Sequence, residues 1–231
     1  MVLVCIRQPG YLPYTGFFKK IQSSDIFVLL DDVQFEKNDW DNRNKIRTSE
    51  GNMWLTVPVI HKFGEKLNEI KISKNEDWNK KHLKAIQINY QKAPFFEKYW
   101  NEIKDIIDQD WEKLIDLNLA LIQYFNSKLK ITNKIIRSSD LKINDQGTEK
   151  LLKICQILNA DIYLSGELGK NYLNEEIFHD SRIKIIYEKF IHPEYSQIYK
   201  PFIPNLSVMD LLFNEGDKAS EIIQKSQNLE S

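Results

Sequence analysis

The order of apolar runs and amphipathic segments predicts an α/β protein. Continuous apolar runs at Val2–Ile6 and Ile26–Leu30 are typical of strands covered on both faces, and a helical pattern over Gly16–Ser23 lies between them. The second half repeats this order, with strands at 135–136, 161–164 and 183–187 and a helix at 147–158. We therefore expect a mostly parallel sheet flanked by helices.

The middle of the chain is predicted to hold a β-hairpin insertion and a helical layer. A polar loop leads into short strands around Asn44–Arg47 and Trp54–Ile60, separated by a turn at Ser49–Asn52. Pro58 cannot donate to a strand ladder, so the second strand either lies at an edge or ends its pairing early. Three amphipathic segments between Asp77 and Phe125 indicate helices.

Composition and charge narrow the classes of partner. The 231 residues are 42% hydrophobic, and 32 Lys and Arg nearly balance 33 Asp and Glu. No net field therefore favours genomic nucleic acid or an anionic membrane, and a small polar or charged metabolite remains as partner. Cys5 and Cys155 lie in apolar stretches, as buried thiols do in a reducing compartment. Without a signal-like leader or about 18 consecutive apolar residues, the protein is predicted to be cytoplasmic and membrane-free.

Four polar segments each follow a predicted strand, at 8–14, 31–45, 138–141 and 165–172. The carboxyl ends of parallel strands meet at one edge of a sheet, so these segments are expected to gather where α/β proteins bind ligands. The first, "QPGYLPY", combines the fixed dihedrals of Pro9 and Pro13 with the freedom of Gly10. This composition favours a loop of one shape, which we expect to form one wall of a pocket.

Two of these segments carry groups suited to phosphate or metal. Asp31 and Asp32 are adjacent, so on a regular strand their side chains point to opposite faces and cannot bind one metal ion together. One of them could bind a Mg²⁺ ion that bridges to substrate phosphates; the alternative is that it caps a helix or a loop. "SGELGK" is similar to a phosphate-binding turn, although it lacks the P-loop spacing, and the alternative is a tight turn at Gly166 and Gly169.

The hairpin segment and the histidines supply the other candidate groups. "DWDNRNKIR" places Asn42, Arg43 and Lys45 near Trp40, a set that suits a phosphorylated or glycosyl ligand, whereas the alternative is a solvated hairpin. His82 and His192 are candidate general bases, or else hydrogen-bonded structural residues. The signatures of a serine-hydrolase elbow, a zinc-protease helix and a cysteine metal site are missing from the sequence.

Ordered blocks of sequence carry a family resemblance over nearly the whole chain, to about Gly216. The blocks are "RQPGYLPYTGFFKKI", "SDIFVLLDDVQFEKNDWDNRNKIR", "WLTVPV", "HLKAIQINYQKAPFF", "YLSGELGKNYL", and "HPEYSQ" followed by "FIPNLSVMDLLFNEG". Together they resemble the WbqC-like family of bacterial O-antigen and polysaccharide biosynthesis. This chain has Arg7 and Gly10 where members often carry His and Asn, so no role of a loop histidine is transferred.

The resemblance implies a reaction on an amino sugar. It points to transfer of an acyl or aminoacyl group, such as glycyl, to the amine of a nucleotide-linked deoxyamino sugar. ATP with Mg²⁺ or an activated acyl donor would then be needed. The first blocks are also similar to pantothenate synthetases and to nucleotidyltransferase-like (HUP-like) α/β folds. Two alternatives therefore stay open, a non-catalytic sugar-nucleotide-binding assistant protein and a nucleotidyltransferase-like enzyme that activates its sugar.

These considerations give one set of site residues and one division of the chain. The predicted catalytic residues are His82 and Asp32, and no protein-bound metal is predicted. The predicted substrate-binding residues are Gln8, Tyr11, Asp31, Gln34, Asn42, Arg43, Lys45, Ser165, Gly166, Tyr172, His192, Tyr195 and Gln197. We expect a single α/β domain over 1–216, with a helical insertion at about 76–130, and a polar C-terminal tail over 217–231. The sequence leaves the oligomeric state open.

Overall fold

The elements alternate between strands and helices at both ends of the chain. The computed structural model describes residues 1–226 and the backbone of 228–230. Its strands are β1 (Leu3–Arg7), β2 (Ile26–Leu29), β3 (Arg43–Thr48), β4 (Gly51–Thr56), β5 (Val59–Ile60), β6 (Lys71–Ile72), β7 (Lys134–Arg137), β8 (Ile162–Gly166), β9 (Lys184–Phe190) and β10 (Asn228–Glu230). Its helices are α1 (Thr15–Ser23), α2 (Trp78–Tyr90), α3 (Phe96–Ile107), α4 (Leu114–Lys128), α5 (Gly147–Ile157), α6 (Glu175–Asp180), α7 (Val208–Glu215) and α8 (Lys218–Lys225).

The central sheet has the strand order β10-β9-β8-β1-β2-β7. The five strands from β9 to β7 pair in parallel with their neighbours, and β10 is an antiparallel edge strand beside β9. From β7 across to β9, the parallel strands stand in the chain order third, second, first, fourth, fifth. The winding direction therefore reverses between β1 and β8, which makes that position the topological switch point. The predicted parallel sheet flanked by helices is confirmed, whereas the HUP-like resemblance stays a prediction.

Two apolar cores cover the two faces of this sheet. Adjacent side chains of β1 alternate between them, because Cys5 packs with the α1 residues and Val4 packs with the α5 residues. Both faces are buried, which explains why the parallel strands are continuous apolar runs. Cys5 and Cys155 are buried free thiols, as predicted.

The insertion between β2 and β7 supplies the hairpins and the helical layer. β3 and β4 form one antiparallel hairpin and β5 pairs with β6 in another. Pro58 lies between β4 and β5 and ends the pairing of β4, so the predicted strand at Trp54–Ile60 is divided in two. Helices α2, α3 and α4 join the core on the α1 face. The predicted hairpin insertion and helical layer are both present.

The C-terminal region packs onto the α1 face of the sheet. Helix α7 is buried along nearly its whole length, and α8 buries Ala219 and Ile223. Thus α8 and β10 lie within the predicted tail at 217–231, whereas Gln227 and Ser231 lie outside the described residues. The domain boundaries stay predictions. Within the described part of the chain, no helix is both long and apolar enough to cross a membrane.

Candidate functional site

The carboxyl ends of β1 and β8 meet at the switch point. The paired registers of β1, β8 and β9 bring Arg7 beside Gly166, and Gly166 beside Glu188. A Cβ atom added to Gly166 would lie 3.2 Å from Nη1 of Arg7, so the guanidinium extends over the glycine. The glycine thereby leaves space for a long side chain at the centre of the ligand-binding edge.

Three half-buried polar side chains at this edge have no partner. Within the described residues, the guanidinium of Arg7, the amide of Gln8 and the hydroxyl of Tyr14 make no hydrogen bond or ion pair. Burial raises the pKa of Tyr14, and the charge of Arg7 partly opposes that rise. Ligand sites in α/β proteins combine a few convergent polar groups at the carboxyl edge of the sheet, so this cluster of unused donors is a candidate ligand site.

Below this cluster lies a buried ion pair. Lys20 of α1 contacts Glu188 of β9, and the two side chains are only 4% and 3% exposed. Lys20 follows Phe17 by three residues, so it lies on the apolar stripe of α1 that faces the sheet. The pair joins α1 to β9 at the level of Arg7.

Aromatic rings cover the beginning of α1. A Cβ atom added to Gly16 would lie 2.5 Å from the ring of Tyr14 and 2.7 Å from the ring of Phe190. These two rings also contact each other edge to face, with their centroids 6.0 Å apart. The glycine is therefore required for this close packing, which fixes Tyr14 beside the switch point.

Asp31 and Asp32 are each bound by a cation. The carboxylate of Asp31 is fully buried; it accepts from Nε of Arg137 at 2.8 Å and from the backbone N–H of Ser139 at 3.0 Å. Asp32 lies 2.7 Å from Nζ of buried Lys150 and accepts from the hydroxyl of Ser138. Burial raises the pKa of Asp32, but these bonds outweigh it and hold the pKa below its ordinary value. No group of three potential metal ligands occurs among the residues described.

His82 and Tyr11 contact each other inside the core. His82 is 6% exposed, and the Tyr11 hydroxyl lies 2.9 Å from its Nδ1. Burial lowers the pKa of His82 to about 4, although a hydrogen bond to the backbone of Thr56 opposes the shift. The imidazole is therefore neutral at pH 7 and packs against the ring of Trp78. Its catalytic role stays a prediction, as does substrate binding by Tyr11.

Buried amides hold the loop after β1 in place. Asn44 donates to the carbonyl of Leu12, and Asn118 donates to the carbonyls of Pro9 and Asp41. Asp41 itself is 2% exposed, and its Oδ2 atom has no partner. Burial raises the pKa of Asp41 to about 7. The predicted single shape of this loop thus depends on buried polar contacts as well as on its prolines.

The β3–β4 hairpin carries an exposed aromatic and cationic surface. Trp40 and Trp54 are 45% and 38% exposed, and their ring centroids lie 5.2 Å apart. The guanidinium of Arg43 lies 4.3 Å from the Trp54 ring centroid and Nζ of Lys45 lies 4.9 Å from it. Asn42, by contrast, is buried and donates to the carbonyl of Val57. The predicted binding set is therefore divided between the surface and the core.

The predicted residues near the C terminus form a buried network. The Tyr195 hydroxyl donates to Oδ2 of Asp210 at 2.7 Å, and the Gln197 amide donates to the same atom at 2.9 Å. Burial raises the pKa of Asp210. His192 packs between aromatic rings, and its Nδ1 donates to the carbonyl of Pro193. This segment supports the α7 region of the core.

The structure brings only part of the predicted set to the switch point. Gln8 and Gly166 lie there, and Ser165 is buried next to Gly166, close to Gly169. Gln34 and Tyr172 are exposed on loops after β2 and β8. A separate depression of about 570 Å³ lies where β9 begins, at the opposite edge, and none of the predicted site residues lines it.

The predicted site residues do not include several residues of this edge, although Tyr14 and Ser138 lie within the predicted strand-end segments. The residues not included are Arg7, Tyr14, Lys20, Glu188, Arg137, Ser138 and Lys150. The sequence signal for the first of them is a cation at the end of an apolar strand. A second signal is a lysine on the apolar stripe of α1.

Comparison with protein-family models identifies the family of the chain, and a search of known proteins finds one similar protein. The model of the WbqC-like protein family matches residues 8–222. An uncharacterized protein of Mycobacterium tuberculosis (strain ATCC 25618 / H37Rv), Rv1507c, is 35% identical over 228 residues, which cover 97% of this chain and 98% of that protein. No solved structure matches the chain at a significant level.

Proposed function

We propose, from the premise that the chain belongs to the WbqC-like protein family, that it acylates or aminoacylates the amine of a nucleotide-linked deoxyamino sugar. The reaction would serve cell-surface polysaccharide biosynthesis. The observation that carries this proposal is the switch point, where the loop after β1 holds the polar groups of Gln8 and Tyr14 without partners among the described residues. Open α/β sheets bind nucleotides at this position, outside the carboxyl ends of the strands.

The transfer joins the sugar amine to the acyl carbon of the donor and releases the donor's leaving group. The sugar ammonium first gives one proton to solvent; the neutral amine then forms the new C–N bond as the bond to the donor's leaving group breaks, and that leaving group takes up the second proton. In this proposal the amide of Gln8 donates to the oxyanion that develops on the acyl oxygen. Asp32 is ionised at neutral pH, so it suits holding the ammonium form of the sugar better than acting as a strong base.

His82 can act as the base only if Tyr11 moves away from Nδ1, because that nitrogen is already hydrogen-bonded. The leaving group depends on the donor, which would be an acyl thioester or an amino acid activated by ATP with Mg²⁺. A Mg²⁺ ion held mainly by ATP phosphates needs few protein ligands. Arg43 and Lys45 on the hairpin, with Trp54 beside them, form a second cationic surface, which under this proposal contacts the ligand only outside the switch point.

A non-catalytic binding role is the second candidate. The observation that favours it is the engagement of both candidate bases, because Asp32 is paired with Lys150 and His82 is bonded to Tyr11. In that case the protein would present its sugar nucleotide to a neighbouring enzyme. The polar groups at the switch point support binding equally under both proposals.

Mass spectrometry of the sugar product distinguishes the two. The protein is incubated with dTDP-4-amino-4,6-dideoxyglucose, Mg-ATP and glycine, and separately with acyl thioester donors. We expect the sugar to gain one glycyl or acyl group, and Asp32→Asn to lower turnover at least about tenfold, the loss of one charged contact. The exposed Asp145 provides the control, Asp145→Asn, which should retain turnover. An unchanged sugar that nevertheless binds tightly would contradict the enzyme proposal and support the binding role.

A further inference from the structure

The charges at the switch point do not balance. Arg7 and Glu188 lie beside Gly166, and Lys20 joins Glu188 in the only ion pair among the three charged residues. With two cations and one anion, the cluster keeps one positive charge. That charge resides on Arg7, whose guanidinium is the member that remains half-buried and unpaired within the described residues.

The half-buried guanidinium of Arg7 has no acceptor among the described residues. Its planar fork has five N–H donors that match the oxygens of a phosphate or a carboxylate in pairs. Other arginines of the chain use their donors inside the protein: Arg137 binds Asp31, and Arg47 donates to the carbonyls of Thr48 and Pro201. Arg7 therefore differs from these arginines in having its donors available at the ligand-binding edge.

A glycine and two aromatic rings lie around Arg7 and the start of α1. Gly166 removes the side chain that would otherwise lie against Nη1, and the Tyr14 and Phe190 rings cover the first turn of α1 instead. The first turn of α1 is thus covered by rings, whereas the guanidinium of Arg7 lies over a residue without a side chain. The unpaired Tyr14 hydroxyl lies within electrostatic range of Arg7 and adds a second donor.

We propose that Arg7 is the receptor for a phosphate of the bound ligand, with Tyr14 and Gln8 as supporting donors. This inference rests on the site of the proposed function and specifies the chemical group recognised there. A carboxylate, such as that of the amino-acid donor, shares the same two-oxygen geometry. The diphosphate is favoured because nucleotides in open α/β sheets place their phosphates at the switch point.

Calorimetric titration with dTDP tests the assignment without any turnover. We expect Arg7→Gln to weaken dTDP binding about 10- to 100-fold, the loss of a charge-assisted bidentate contact. The affinity of Arg7→Lys for dTDP should lie between those of the wild type and Arg7→Gln, because lysine keeps the positive charge but lacks the planar guanidinium. The control is Lys184→Gln, which removes one positive charge at the opposite end of β9 and should bind dTDP like the wild type. Circular dichroism and thermal melting of each variant establish that it is folded.

Two further titrations identify the group that is bound. Thymidine should bind weakly and equally to the wild type and to Arg7→Gln, because it lacks phosphate. Glycine should show no dependence on Arg7. Two results with dTDP would each overturn the proposal: the wild type does not bind it, or the wild type and Arg7→Gln bind it with equal affinity. The proposal is also overturned if Lys184→Gln loses as much affinity for dTDP as Arg7→Gln does, or if glycine is the only ligand whose binding depends on Arg7. Normal acylation by Arg7→Gln would reject the role of Arg7 and leave the proposed acyl transfer standing. Arg7-dependent binding of dTDP without any acylation would support the role of Arg7 and reject the acyl transfer.

Discussion

The buried imidazole of His82 predicts a specific dependence of stability on pH. Its pKa is lowered from 6.5 to about 4 in the folded protein, so between these values the unfolded chain binds more protons. Stability contributed by the neutral ring is therefore complete above pH 6.5 and is lost as the pH falls toward 4. The full shift corresponds to about 3 kcal/mol, of which about 2 kcal/mol is lost at pH 5.

The wild-type profile alone does not isolate this effect, because Asp41 opposes it. The pKa of that carboxyl is raised from 3.8 to about 7, so its contribution is present below pH 3.8 and is lost as the pH rises through 7. The comparison of wild type with His82→Asn removes the Asp41 contribution from the difference. Asparagine is suitable because its amide retains a polar partner near the Tyr11 hydroxyl.

Urea unfolding at pH 7, 6 and 5 provides the measurement. The His82→Asn variant is expected to have a lower free energy of unfolding than the wild type at pH 7. This difference in the free energy of unfolding should be smaller by about 2 kcal/mol at pH 5. The exposed His179 provides the control, and His179→Asn should follow the wild-type profile. Parallel profiles of wild type and His82→Asn would refute the reasoning, since they would mean that His82 titrates alike in the folded and unfolded states.

Three further predictions concern other buried groups. Asp41→Asn should be more stable than wild type by a few kcal/mol at pH 8, with the gain vanishing near pH 4; a gain independent of pH would contradict the raised pKa of Asp41. Lys20→Met should cost about 3–5 kcal/mol in urea unfolding because Glu188 is left buried and unpaired, and Lys20→Met with Glu188→Leu should recover most of it. Gly16→Ala should destabilise by about 1–3 kcal/mol because its Cβ would overlap the Tyr14 ring, and increased stability would show that the ring moves aside freely.

The parallel sheet could be predicted because its strands are short apolar runs buried on both faces. β1 and β2 begin and end within about one residue of their predicted bounds, and the helix between them is equally close. The two-part strand at Trp54–Ile60 follows from Pro58 alone. The order of the strands in the sheet could not be predicted in the same way, because no local pattern in the sequence indicates that β8 pairs with β1.

The candidate site was less predictable because its contacts join distant parts of the chain. Lys20 and Glu188 are 168 residues apart, and the loop motif does not indicate that they meet. Tyr195 and Gln197 are among the predicted substrate-binding residues, yet both donate to the buried carboxylate of Asp210. Composition indicates which groups can bind a ligand, but only packing determines which of them remain unpaired.

The location of a bound nucleotide sugar tests the central claim most directly. The measurement is a crystal structure of the protein with the dTDP-linked amino sugar. We expect the diphosphate between the loops that follow β1 and β8, within hydrogen-bonding distance of Arg7, and the sugar amine on the side of Asp32. A ligand bound only on the Trp40 and Trp54 surface, or at the opposite edge of the sheet, would contradict the account.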